Sequence, residues 1–132
     1  MEKFNALGIK RCYFSFVYLY PKVLKRATRL KDFIFMELTI EKKYELLREM
    51  VDLSLHYDMQ LFSCSNDKLV HVTGVQKGHC IDGKLLNQLI NLPVSEKTLP
   101  TRPDCGCTAS IDIGDYVETP CKYKCLYCYA RR

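Results

Sequence analysis

The sequence predicts an α/β fold, strands alternating with helices, followed by an irregular cysteine-rich segment. Three observations carry this expectation. Strand-sized runs of aromatic and β-branched residues alternate with segments whose apolar residues recur at helical spacing. One helical segment passes into a strand through a very short loop, the joint found in layered and barrel α/β proteins. Five of the eight cysteines fall within residues 105–132, beyond the last periodic segment. Three regions follow: 1–92 as a partial, barrel-like α/β domain, 93–104 as a linker, and 105–132 as a metal-binding segment.

Taken in order, "MEKFNALG" reads as the tail of a helix ended by Gly8. "RCYFSFVYLY", residues 11–20, is rich in β-favouring aromatics and reads as a buried strand that stops before Pro21. This run is too short to span a membrane. It also lacks the small-residue cleavage site of a signal peptide, so a cytoplasmic protein without a membrane partner is expected. In "PKVLKRATRLK", Lys22, Lys25, Arg26, Arg29 and Lys31 come with no acidic residue between them and supply much of the net charge of +5. Such a run can follow a nucleic-acid backbone; the plainer reading is a solvated face.

A helix is expected from Thr39, its N-cap, because Ile40, Tyr44, Leu47, Val51 and Leu55 share one face. "DMQLFSCS" then gives a short strand that reaches Cys64. Asp82 is placed to cap a second helix, "GKLLNQLINL", whose Leu85, Leu86, Leu89 and Ile90 form an apolar face. "PVSEKTLPTRPD", with three prolines, reads as a linker or surface loop. Only two strands are secure, too few for a sheet covered by helices on both faces. The expectation is therefore part of a larger α/β fold with elements preceding Met1.

With 48% apolar and 27% charged residues, the chain has the composition of a folded globular protein. Its first hundred residues need no disulfide staples, so reduced thiolates holding metal are expected in place of a secreted disulfide scaffold. In "CKYKCLYCYARR", Cys121, Cys125 and Cys128 form C-x3-C-x2-C, a spacing that aims three soft ligands from one turning loop at a single centre. A closed 4Fe–4S cube takes four cysteines. Three leave one iron open to a chelating small molecule, and S-adenosylmethionine binds such an iron through its amino and carboxylate groups.

Other groupings compete. Cys105, Cys107, Cys125 and Cys128 have the spacing of a structural zinc site, which would make a binding module, with Arg131 and Arg132 beside it for nucleic acid. Cys105 or Cys107 as fourth ligand would instead close the cluster for electron transfer. Cys64, Cys80, Cys105 and Cys107 are a candidate second site, for an auxiliary cluster or zinc, while Cys12 is assigned to the core. His56, His71 and His79 share no metal-ligand spacing, though His79 adjoins Cys80. Tyr116, Tyr123, Tyr127 and Tyr129 crowd the terminal cysteines, where they would shield a cluster or simply pack. No Ser-His-Asp set, paired-carboxylate site or phosphate-binding glycine loop is present.

"DCGCTASIDIGDY" followed by "CKYKCLYCYA" resembles the C-terminus of the domain-of-unknown-function 1848 family, whose terminal cysteine cluster is similar to the radical SAM iron–sulfur motif. The resemblance extends upstream through "SFVYLYPKV", "LFSCS" and "KGHCIDGKLLNQL". It implies a radical-SAM-like, TIM-type barrel, of which this chain would be the C-terminal half. It further implies a 4Fe–4S cluster on Cys121, Cys125 and Cys128, S-adenosylmethionine at the open iron, and Asp112, Gly114 and Tyr127 near the cofactor. An electron donor and an unidentified substrate would be the partners, with the absent half as a third. Two departures stand out: Lys124 occupies a position commonly small or turn-forming, and family members are about twice this length, with an N-terminal half that would supply the other barrel strands. The cysteine loop also follows the α/β elements that it ordinarily precedes in radical SAM enzymes.

Overall fold

A computed structural model of the chain describes residues 1–29, 34–91, 93–100, 102–111, 113–115, 117–119, 121–123 and 125–128. The elements run α1 (Glu2–Ala6), β1 (Arg11–Phe14), α2 (Pro21–Ala27), α3 (Ile40–His56), β2 (Gln60–Cys64), a 3-10 turn (Asp67–His71), β3 (Val75–Gly78) and α4 (Gly83–Ile90). They fall into two compact units: Met1–Ser15 with Leu38–Ser110, and Phe16–Glu37 with Ile111–Arg132. No helix among the described residues is long and apolar enough to cross a membrane.

The first unit is built on a parallel sheet in the order β1-β2-β3, so the α/β class holds. Arg11 pairs with Gln60 and Phe14 with Ser63 across β1 and β2; Leu61 pairs with Val75 and Cys64 with Gly78 across β2 and β3. The sheet is open, and the described residues close no barrel. Central β2 is buried through Leu61, Phe62 and Ser63, while Leu47 and Val51 of α3, with Met59, Leu69 and Val75, complete the core. The two buried serines are satisfied locally: Ser54 Oγ donates to the Val51 carbonyl at 2.8 Å, and Ser63 Oγ to that of Asn66 at 3.1 Å.

Both expected N-caps are present. Thr39 Oγ1 accepts from the Lys42 amide at 3.4 Å, and Asp82 Oδ1 accepts from the Leu85 amide at 3.0 Å. Gly8, at φ 76, follows the end of α1 in the left-handed region. The aromatic run is a strand only over Arg11–Phe14; Val17 and Tyr18 beyond it are exposed. β3 went unread because "VQKG" carries no apolar run: Val75 and Gly78 are buried, while Gln76 and Lys77 face solvent. The apolar face of α4 is largely open, with Leu86, Leu89 and Ile90 exposed.

The segment read as a linker folds back on the chain. Leu99 donates its amide to the Cys107 carbonyl at 3.0 Å, Ala109 donates to Lys97 at 2.8 Å, and Thr98 bridges Thr108 in antiparallel fashion. It groups with the sheet, as do Cys105 and Cys107. In the second unit, α2 starts with Pro21 in its first turn, where a missing amide costs nothing, and buries Val23 completely. Tyr18 and Tyr20 meet edge to face at 4.7 Å.

Candidate cysteine sites

None of the eight cysteines is in a disulfide. The carboxyl ends of parallel strands lie at one edge of a sheet, where open α/β folds gather their ligands. Here that edge gathers sulfur. Cys64 ends β2, and Cys80 lies two residues past Gly78, its partner in register. Ser65, at φ 49, turns the chain immediately after Cys64. The sulfurs of Cys64 and Cys80 are 3.1 Å apart, and Cys107 also hydrogen-bonds Cys80.

Cys107 is held there by its own backbone and that of its neighbour. The Cys107 carbonyl accepts from Leu99, and the Thr108 amide donates to the Ile81 carbonyl at 2.9 Å. Thr108 Oγ1 in turn accepts from the buried Gly83 amide at 2.9 Å, so Cys107–Thr108 is fastened across the loop that carries Cys80. Gly106 makes the approach possible: a Cβ there would stand 2.5 Å from Cε1 of the His79 ring, whose Nδ1 hydrogen-bonds the Gly106 carbonyl.

Arg102 joins the same edge from the proline-rich segment. Its Nε donates to Ser65 Oγ at 2.9 Å and its Nη2 to Cys64 Sγ at 3.3 Å. On the β1 side, Arg11 Nη1 pairs with Asp82 Oδ2 at 3.2 Å, with its guanidinium carbon 5.1 Å from the centre of the Phe62 ring. The Asp82 carboxyl is held below the usual carboxylate range, first by the Leu85 amide and then by Arg11. The Cys80 thiol is pushed up to about 12 by partial desolvation first, then by the hydrogen bond and negative charge of Cys64, and then by Cys107.

Of the four cysteines expected at a second site, Cys64 and Cys107 each contact Cys80. Cys105 is half-buried and donates its amide to the Arg102 carbonyl at 3.2 Å. Among the described residues, no three His, Cys, Asp or Glu side chains are arranged to hold a metal ion.

In the second unit, Cys121 is exposed while Cys125 and Cys128 are half-buried. The Cys128 amide donates to the Cys125 carbonyl at 3.2 Å, which closes the turn between them. Arg26 of α2 donates through Nη2 to the Cys128 carbonyl, so one residue of the basic run is directed at the cysteine segment. Asp115 organises the approach: its Oδ1 accepts from the Glu118 amide at 2.9 Å and from the Val117 amide, which lowers its carboxyl. Gly114 has open space around it, and Tyr127 and Tyr123 are exposed. Asp112, Tyr116, Lys124, Tyr129, Arg131 and Arg132 lie outside the described residues. Arg102 and Asp115 carry no site signal in the sequence, and Arg26 stands there only within the basic run, since each acts through a backbone group or a distant sulfur that no local pattern marks.

Fold and cysteine chemistry together define an α/β protein with two sets of reduced soft-donor thiols. A family model described as "Domain of unknown function (DUF1848)" matches residues 2–130. The chain belongs to that family, as the "SIDIG" and C-x3-C-x2-C segments implied. No curated protein and no solved structure gives a match.

Proposed function

We propose that this chain is an iron–sulfur protein of the radical-SAM-like kind, an enzyme or part of one. Cys121, Cys125 and Cys128 would hold a 4Fe–4S cluster and leave one iron for S-adenosylmethionine. The observation that carries the reading is the C-x3-C-x2-C spacing of three thiols outside any disulfide, two of them flanking a hydrogen-bonded turn. Soft sulfurs on a turning loop fit iron–sulfur chemistry. Bound there, the cluster would supply an electron to cleave the sulfonium carbon–sulfur bond of S-adenosylmethionine.

The chain's own residues have simpler tasks. Arg26 fixes the Cys128 carbonyl and brings positive charge to a segment that would hold anionic thiolates. Asp115 pins the Val117–Glu118 backbone ahead of Cys121. Tyr127, next to Cys128, and Gly114, with room around its backbone, are assigned to the cofactor side, as is Asp112 by its place in "SIDIG". The parallel sheet suits a barrel fragment whose remaining strands come from another segment, and an electron donor is the partner this chemistry needs.

A zinc module on Cys105, Cys107, Cys125 and Cys128 is less well supported, because Cys107 is engaged by Cys80 in the sheet unit. Protein purified without oxygen and reconstituted with iron and sulfide decides between them. It is expected to retain both elements, to give a reduced-cluster electron paramagnetic resonance signal altered by S-adenosylmethionine, and to lose iron on Cys121→Ala, Cys125→Ala or Cys128→Ala. A colourless protein with one zinc, or a cluster indifferent to all three substitutions, would overturn the proposal.

A further inference from the structure

We propose that Cys64 and Cys80 are a redox-active dithiol at the carboxyl edge of the sheet, which exchanges with a low-molecular-weight disulfide and closes to an intrachain disulfide. The pair belongs to the first unit, and Cys121, Cys125 and Cys128 belong to the second. Its sulfurs stand 3.1 Å apart, about 1 Å from bonding distance, a gap that small side-chain rotations close. Cys80 is exposed and Cys64 half-buried, so a soluble disulfide has access.

The surroundings divide the labour. Arg102 directs Nη2 at Cys64 Sγ, a charge-assisted contact that a thiolate accepts better than a thiol. Cys64 is thus the attacking sulfur. Cys80, exposed and 3.1 Å from that sulfur, is the resolving one.

In the first step the Cys64 thiolate attacks one sulfur of the disulfide RSSR, forming a mixed disulfide and releasing RS⁻. Cys80 passes its proton to the released thiolate and attacks Cys64 Sγ, expelling the second RS⁻, which takes a proton from solvent. Two protein thiols and one disulfide become one protein disulfide and two small thiols, a two-electron exchange. Cys107, hydrogen-bonded to Cys80, anchors the resolving thiol and takes no part in the bond.

The test uses the full chain, reduced and purified without oxygen, then equilibrated across ratios of oxidised to reduced glutathione. Alkylation and peptide mass mapping report each cysteine separately. Cys64 and Cys80 are expected to disappear together as one linked peptide, in a single two-electron transition. Cys80→Ser should trap glutathione on Cys64, whereas Cys64→Ser should leave Cys80 alkylatable at the same ratios. The inference fails if Cys64 and Cys80 stay reduced in excess oxidised glutathione, if the bridge forms between Cys80 and Cys107, or if either serine variant loses a bound metal equivalent. Iron retained by Cys121, Cys125 and Cys128 is scored in the same samples, so the failure of one proposal is distinguishable from that of the other.

Discussion

Asp82 does two jobs with one carboxylate, and the two can be separated. Oδ1 caps α4 at the Leu85 amide, 3.0 Å away, and Oδ2 pairs with Arg11 of β1 at 3.2 Å. Removing an aspartate N-cap costs about 1 kcal/mol. The Arg11 pair is partly exposed, with side-chain accessibilities of 35% and 20%, so solvent screening limits it to about 0.5–1 kcal/mol. Asp82→Ala should therefore destabilise by about 1.5–2 kcal/mol. Asp82→Asn keeps a capping oxygen and loses the charge, so it should lose only about 0.5–1 kcal/mol. Urea denaturation of the reduced chain followed by circular dichroism measures both.

The pH dependence adds a check. Because the folded Asp82 carboxyl is depressed, its contribution is complete above the unfolded value near pH 4 and is lost as pH falls through the folded value. The gap between wild type and Asp82→Asn should be constant from neutrality to about pH 5 and narrow below about pH 4. If asparagine proves as damaging as alanine, or if neither moves the midpoint, Asp82 does not join helix cap to sheet as the distances indicate.

Two further outcomes follow from the same edge. Gly83→Ala would set a Cβ 2.8 Å from the Ser95 carbonyl and 2.9 Å from Thr108 Oγ1, and since a carbonyl of the backbone cannot swing aside, a loss of about 1–3 kcal/mol is expected in the same denaturation assay. Arg102→Gln removes the cation beside Cys64 and should slow formation of the glutathione mixed disulfide in the Cys80→Ser background about three- to tenfold, measured by mass spectrometry over time; an unchanged rate would mean that the guanidinium only positions the loop.

The elements that were legible from sequence are those set by near neighbours. A cap acts over three residues, so Thr39 and Asp82 announced α3 and α4 before any tertiary contact was known. The apolar face of α3 was equally local, and Leu47 and Val51 do reach the core. The aromatic run misled because its hydrophobicity exceeds what the strand uses: only Arg11–Phe14 pairs with β2. β3 escaped for the opposite reason. A four-residue strand at a sheet edge needs no more than Val75 and Gly78 buried, and the pattern of two such residues has no statistical weight.

The cysteines divide along the same line. Spacing groups residues that one loop can bring together, and for Cys121, Cys125 and Cys128 it is the whole of the sequence signal. Cys64 and Cys80, sixteen positions apart, are brought together by something spacing does not encode: the parallel register of β2 and β3, which ends both strands at one edge. The proline-rich segment then adds Arg102 and Cys107 by folding back through Leu99 and Thr108, although its composition alone reads as a spacer. A metal reading pools sulfurs by count, whereas the sheet sorts them by distance. At 3.1 Å the Cys64–Cys80 contact lies between a sulfur–sulfur bond of about 2.05 Å and the edge of about 3.8 Å between two ligands on one zinc ion. On that contact rests the proposal that the sheet-edge thiols exchange with disulfides, and the glutathione equilibration tests it.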